Sequence, residues 1–524
     1  MIRVSRKQVK AKPRSPLLPP PLSFSTHQRP GRITRKGLDS VDHVIVVAPR
    51  ELRPSFWRLV PGLDTVRLAH RRLGRDARGR PLRGQAGPAT ALTVGQLPDA
   101  EPSAHALLKF AGELAADALA MEPRSIALAA PGSTAADAER IMQALLLALA
   151  ARAFRGPSFR REPKPPFLRS VTILGLPAPI MVDRTLVEAE AANLVRWLTA
   201  LPPNRLTARG YRDLLGELAR EHGWQLEWLD ESRLRQAGCG AFLAVAQGNA
   251  HRDAGIAHLR YRPGARATRP ALALVGKGIL FDTGGTNLKD AKHMVDMHVD
   301  MSGSAAALAT LAALTSLGHD QPVDCWLAIT ENRTGSTAYK QRDVITASNG
   351  TTIEVMHTDA EGRLVLADTL ALAGKARPPL VIDYATLTGA CIHALSDRYS
   401  GVFTNRPALN ELLVAAGRAS GERVWPFPMD DDFDDDLKSQ VADTLQCTLG
   451  GEADHIYAAR FLQRFVPRAS AWIHVDLGAV LRKDGLGQMP GGPTGFGVRL
   501  TLALLLDQRG QLAAQVPALA RGDA

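Results

Sequence analysis

The chain has 524 residues, 45% of them hydrophobic and 22% charged. That length and balance bury a sizeable core without disulfide staples, and they exclude a collagen, a disulfide mini-scaffold or global disorder. Lys and Arg number 64 against 52 Asp and Glu, a formal net charge of +12, but the excess is local, because residues 1–38 carry Arg3, Arg6, Lys7, Lys10, Lys12, Arg14, Arg29, Arg32, Arg35 and Lys36 with no acid before Asp39. The remainder is close to neutral, so a nucleic-acid partner is not expected except through this basic tail.

The tail also holds Pro13, Pro16, Pro19, Pro20, Pro21 and Pro30, so residues 1–38 read as an extended, solvated segment without regular structure. Residues 42–48 read as a short buried strand. An Arg/Gly/Pro-rich loop follows over 71–89. Helical apolar spacing marks 104–120 and 134–152, with strands at 125–130 and 171–176 between and after them. This alternation makes 39–182 a small α/β domain without a catalytic constellation. An amphipathic helix over 183–202, stopped by Pro202-Pro203, links it to a larger α/β domain, 203–524. The expected architecture is therefore two α/β domains, the larger with a central mixed sheet flanked by helices. No run of apolar residues is long enough to span a membrane. The four cysteines, Cys239, Cys325, Cys391 and Cys447, are far apart and read as packing residues of a reducing, cytoplasmic setting.

The chemistry is concentrated between 270 and 391. A short apolar strand, 271–275, runs into Gly276-Lys277-Gly278 and then Asp282-Thr283-Gly284-Gly285, with Lys289 beyond the turn. Asp300 precedes an alanine-rich helix. A strand at 323–330 leads to Glu331-Asn332, and one at 352–356 leads to His357-Thr358-Asp359-Ala360-Glu361-Gly362-Arg363 before a helix from Leu364 to Ala376. In open α/β sheets ligands bind beyond the carboxyl ends of strands, where Asp282, Asp300, Asp359 and Glu361 could converge. Four carboxylates in one cleft repel, and two divalent cations would offset them. Oxygen-rich sites suit Mg and Mn, and zinc accepts carboxylates too. Two such ions can share and acidify a water. A lysine ligates only as the neutral amine, so Lys277 as a ligand would need a depressed pKa, whereas a charged Lys289 suits a developing oxyanion. Spacing alone leaves other readings open: Asp359 as a helix cap and Lys277 as a surface lysine.

These motifs closely resemble the leucine aminopeptidase (cytosol aminopeptidase) family. Thr358 to Leu364 matches its signature without a break, and 381–391, Glu331-Asn332, Tyr339, Asp343-Val344, 420–425 and 441–443 match flanking segments. The resemblance covers roughly 185–500. It implies that Lys277, Asp282, Asp300, Asp359 and Glu361 ligate two divalent metals (Mn or Zn, with Mg as a further option). Asp282 and Glu361 would be shared between the ions, Lys277 and Asp300 would belong to the tighter site, and Asp359 to the more exchangeable one. It implies Lys289 as the electrophile on the scissile carbonyl and a bicarbonate on Arg363 as the general base. Met297, Thr386, Leu387 and Gly389 would line the substrate site, and peptides with a free N-terminus would be the substrates of a cytoplasmic homohexamer. The sequence departs from the family at His357, where the signature has Asn, at Ser302-Gly303 in place of Gly-Gly, and over 332–342 and 476–494. These departures leave room for a narrow dipeptidase, and the basic tail for a nucleic-acid-binding protein with a peptidase-like body. The acidic run 430–436 reads as a solvated loop.

Overall fold

The structure is a computed structural model that describes residues 15–264 and 269–519. Two sheets organise it. The first has the strand order Ser25–Arg29, Ser170–Leu174, Ser125–Ala129, His43–Ala48, Ala91–Gln96, Pro81–Gln85, and every neighbouring pair is parallel except the last. His43–Ala48 is buried along its whole length, as a near-continuous β-branched run covered on both faces should be. Ile45 and Val47 face the helices Ala104–Leu119 and Ala135–Ala153. Val44 and Val46 face Phe56, Leu63 and Val66.

The structure differs from the sequence expectation in two places. Residues 1–38 are not structureless throughout, because Ser25–Arg29 is the outer strand of this sheet, with Ser25 opposite Ser170 and Arg29 opposite Leu174. The prolines flank this edge strand rather than interrupt it, the placement an edge tolerates. Residues 1–14, with the first six basic side chains of the tail, lie outside the described residues. Nor is 71–89 one loop: Pro81–Gln85 pairs antiparallel with Ala91–Gln96. Arg50, Arg78 and Arg83 pair with Asp99, Glu51 and Asp117, but most arginines of this region have no such partner. Arg53, Arg58, Arg67, Arg71, Arg72, Arg75 and Arg80 are exposed and pair with no acid among the described residues, so the basic character extends from the tail onto the first domain.

Helix Asp183–Ala200 leaves the first sheet and packs against Ala135–Ala153 on one side and Ser302–Ser316 on the other. Its Asn193 and Arg196 donate to the carbonyls of Ala150 and Ala151, which fastens the two halves together. The second sheet has eight strands in the order Val424–Pro426, Ser400–Thr404, Ala471–Asp476, Leu380–Ala385, Leu272–Asp282, Val323–Asn332, Gly255–Tyr261, Gln225–Asp230. Its central four run parallel, both flanks join them antiparallel, and the outermost pair Val424–Pro426 and Ser400–Thr404 is parallel, a mixed sheet. Helix Ser302–Ser316 packs on one face and Glu361–Gly374 on the other. The parallel strands therefore end together, bringing Asp282, Asn332, Thr386 and Asp476 to one edge. The strand expected to stop at Val275 continues through Lys277 to Asp282. Among the described residues no helix is long and apolar enough to cross a membrane.

Candidate active site

Lys277 projects from the middle of a buried strand and is itself 3% exposed. It is not a surface lysine. Its Nζ lies 2.8 Å from Asp300 Oδ1 and 2.8 Å from Glu361 Oε1, and donates to the Thr386 carbonyl at 2.9 Å. Lys289 makes the companion pairings, 3.0 Å to Asp282 Oδ2 and 2.5 Å to Asp359 Oδ1. Oxygens of Asp282, Asp359 and Glu361 lie within 4.8 Å of one another. Asn332 ties the two halves together, its Nδ2 donating to Asp282 Oδ1 at 2.8 Å and approaching Glu361 Oε2 at 3.5 Å. The structure thus brings all five expected ligands and Lys289 into one cluster.

Each position has a local cause. Asp282 ends its strand, and its Oδ1 also accepts the Gly284 N–H. Asp300 lies in the short 3₁₀ turn Met297–Met301 and accepts the Thr386 hydroxyl at 2.6 Å. Thr358 is clamped by Asn287 and by its own hydroxyl bond to the Gly284 carbonyl, while Tyr339 donates to its carbonyl at 2.7 Å. Glu361 opens helix Glu361–Gly374. Gly362 is required by close approach, since a Cβ there would sit 2.7 Å from both Cε and Nζ of Lys277. Gly362→Ala is expected to push the ammonium off Asp300 and Glu361, weakening metal retention and lowering stability by about 1–3 kcal/mol. Metal analysis after dialysis, together with a melting curve, checks both.

The electrostatics are those of an over-charged acidic site. Burial lifts the Asp300 carboxyl well above the usual range, with Glu361 and Asp282 adding and Lys277 opposing. Burial raises Glu361 as well, reinforced by Asp282 and opposed by both lysines. Asp359 is pushed up to about 7 by burial and the charges of Asp282 and Glu361, against Lys289. For Lys277 burial alone would favour the neutral amine, but Asp300, Glu361 and Asp282 outweigh it and hold the ammonium above its ordinary range. Lys289 behaves alike under Asp282, Glu361 and Asp359. The depressed pKa expected of a ligating Lys277 is therefore not a property of the protein alone.

The donor set suits divalent cations. It is oxygen-rich, its four carboxylates face only two ammonium groups, and the buried Oδ2 of Asp300 has no hydrogen-bond partner. Arg363 is different. Its buried guanidinium already carries a carboxylate, Nη2 lying 2.8 Å from both oxygens of Asp454, and Nη1 donates to the Gln446 carbonyl. The residues present do not fit the expected bicarbonate, because a chain anion holds and neutralises this group.

The expected substrate residues border the cluster. Met297 and Leu387 are half-buried and Gly389 is exposed, with nothing within 4 Å of the position its Cβ would take. Thr386 is already engaged with Lys277 and Asp300, and the Leu387 N–H donates to Asp476 Oδ1 at 3.1 Å. His357 behaves as a replacement for Asn, its Nδ1 accepting the Asp359 N–H at 3.2 Å, the i to i+2 bond of an Asx turn. The acidic run is a 3₁₀ turn, Asp431–Leu437, with Asp434 paired to Arg460 and Arg464. The sequence reading missed Asp454, Gln446 and Asp476. Only Asp476 carried a local signal, an acid ending an apolar strand as Asp282 does.

The model of the cytosol aminopeptidase family catalytic domain matches residues 193–502. A probable cytosol aminopeptidase of Syntrophotalea carbinolica is 42% identical over 355 residues, 66% of this chain and 70% of that protein. One of Parasynechococcus marenigrum is 41% identical over 379 residues, covering 71% and 75%. Among solved structures, a tomato leucine aminopeptidase variant superposes with a TM-score of 0.81 at 28% identity, covering 94% of this chain and 98% of that one. A bottromycin maturation enzyme, BotP, in complex with Mn gives 0.77 at 29% identity, covering 89% and 99%. Sheet, site and matches define a peptidase hydrolase. The chain belongs to the cytosol aminopeptidase family, and is a metal-dependent aminopeptidase.

Proposed function

We propose that the enzyme removes the N-terminal residue from peptides with two divalent ions held by Lys277, Asp282, Asp300, Asp359 and Glu361, and with Lys289 as the electrophile. The observation that carries this reading is the pairing of four clustered carboxylates with only two ammonium groups, Lys277 between Asp300 and Glu361 and Lys289 between Asp282 and Asp359. Bound there, the ions would supply Lewis acidity and a water acidic enough to attack at neutral pH. Manganese is favoured by the Mn complex of the similar BotP, with zinc and magnesium as alternatives. Asp282 and Glu361, linked through Asn332, would be shared between the ions, Lys277 and Asp300 would complete the tighter site, and Asp359, the more exposed acid, the exchangeable one.

The chain's own residues do the rest. Lys289, on the rim at 15% side-chain exposure, keeps its proton and offers it to the carbonyl oxygen as negative charge develops there. Peptides with a free N-terminus would enter over Met297, Thr386, Leu387 and Gly389, with the open space at Gly389 taking the first side chain. Assembly as a homohexamer in the cytoplasm belongs to the same reading. A second activity has one observation in its favour: the unpaired arginines of helix Leu63–Leu73 and its neighbours offer a face to nucleic acid beyond the tail itself, which salt-dependent duplex binding by the full chain, lost with Arg67, Arg71 and Arg72 changed to Glu, would establish.

Because three carboxylates hold the proton on Lys277, a cation can recruit that nitrogen only by displacing the proton. Metal uptake is expected to release protons and to tighten as pH rises. Calorimetric titration with Mn in buffers of different ionisation enthalpy measures the release, and metal analysis should give two ions per chain. One ion per chain, or uptake without proton release, contradicts the assignment.

A further inference from the structure

We propose that Asp454 is the anion this enzyme keeps on Arg363 in place of a bicarbonate, and that its carboxylate accepts the proton of the attacking water. The inference rests on the aminopeptidase reading above. Arg363 lies two residues after Glu361 in the first turn of its helix, and its side chain is 1% exposed, whereas that of Asp454 keeps 24% of its surface open. A buried cation is thus capped by an anion that still reaches solvent. Both Asp454 oxygens approach one nitrogen, Nη2, at 2.8 Å, so the carboxylate is held and oriented while each oxygen keeps lone pairs free.

The placement is built by the backbone. Asp454 is the first residue of helix Asp454–Gln463, so its side chain leaves the chain at the start of that helix. The residue before it, Ala453, adopts φ +51°, a left-handed conformation that costs a residue with a Cβ. That turn swings the helix start onto Arg363. Gln446 fastens the pair to the loop that carries Asp359 and Glu361: its carbonyl accepts from Arg363 Nη1, its Oε1 accepts the His357 N–H and its Nε2 donates to the Ala360 carbonyl.

The step balances without an outside base. One O–H bond of water breaks, its proton passes to an Asp454 oxygen, and the water oxygen bonds to the scissile carbonyl carbon. The C–N bond then breaks and the proton moves from Asp454 to the leaving nitrogen, which returns the carboxylate to its charged form. Such a base contributes on the order of 10²–10⁴-fold.

The test compares Mn-loaded wild type, Asp454→Ala and Asp454→Asn in carbonate-free buffer and with added bicarbonate. Wild-type kcat on leucine amide should be indifferent to bicarbonate. Asp454→Ala should lose about 100-fold in kcat with little change in KM, and bicarbonate should restore at least a tenth of it by entering the emptied position. Asp454→Asn should be equally slow but not rescued, since the amide fills the space. The melting temperature of Asp454→Ala should rise with bicarbonate and not with chloride, while that of wild type should not respond. Full kcat in Asp454→Asn, or a wild type stimulated and thermally stabilised by bicarbonate, overturns the proposal. If the variants fail to fold, the wild-type response alone decides. A folded, Mn-loaded wild type inactive on every N-terminal substrate would instead sink the aminopeptidase reading, while the thermal responses would still report which anion Arg363 holds.

Discussion

Asp359→Ala is expected to lower the release of N-terminal amino acids by 1,000-fold or more, about 4 kcal/mol of transition-state stabilisation, without unfolding the protein. The side chain is on the rim, 26% exposed, so its removal opens little of the core. Stability should move the other way. In the metal-free protein the folded-state pKa of Asp359 is pushed up to about 7 by burial and by Asp282 and Glu361, above the ordinary carboxylate value near 3.9. The contribution of its protonated form is therefore fully present below about 4 and is lost as pH rises through 7. Metal-free wild type should melt progressively lower across that window. Asp359→Ala should lose less over the same range and melt at or above wild type at pH 8. Melting curves of both proteins across the window, with and without Mn, check this. A wild-type melting temperature flat from pH 4 to 8 would mean that the carboxylates do not strain one another. The general lesson is a functional cluster that costs stability until its cations arrive.

Lys289→Ala is the second large effect. If Lys289 stabilises charge developing on the carbonyl oxygen, its loss should cost about 10²–10³ in kcat, as removal of one preorganised oxyanion donor does, with KM changed little. Metal content should stay near wild type, since Asp282 and Asp359 lose only a competing cation. Lys289→Arg should not rescue, because a planar fork does not replace a compact ammonium between Asp282 Oδ2 and Asp359 Oδ1. Steady-state kinetics combined with metal analysis separates this role from ligation. A Lys289→Ala enzyme that loses its metal would make Lys289 a structural counter-charge instead.

The five expected ligands were legible because they lie in short motifs that resemble the family's, although only Asp282 ends a strand, while Lys277 stands mid-strand and Asp300 in a 3₁₀ turn. What the sequence hid is non-local. Gly276 and Gly278 read as the end of a strand, yet the strand continues to Asp282. These glycines are there because helix Ser302–Ser316 presses on the strand: a Cβ on Gly276 would lie 2.5 Å from the Ser304 Cα. Glycine for close approach and glycine for chain reversal look the same in one dimension. Ser25–Arg29 was obscured by flanking prolines, and only the partner strand 145 positions on, from Ser25 to Ser170, makes it a strand. Asp454 lies 91 residues from Arg363, and nothing near it announces the pair. The basic surface was masked by averaging, since the near-neutral body combines Arg53, Arg58, Arg67, Arg71, Arg72, Arg75 and Arg80, unpaired among the described residues, with an acid-rich remainder.

The most direct test of the central claim is release of amino acids from a panel of N-terminal aminoacyl amides and dipeptides, by metal-free protein and after addition of Mn, Zn or Mg. Activity that is absent without metal, appears with it, and requires a free α-amine is the predicted result, and the ranking across the panel reads out what the space at Gly389 accepts. A folded, metal-loaded protein that releases nothing from any member of the panel, or one equally active after metal removal, would contradict the account.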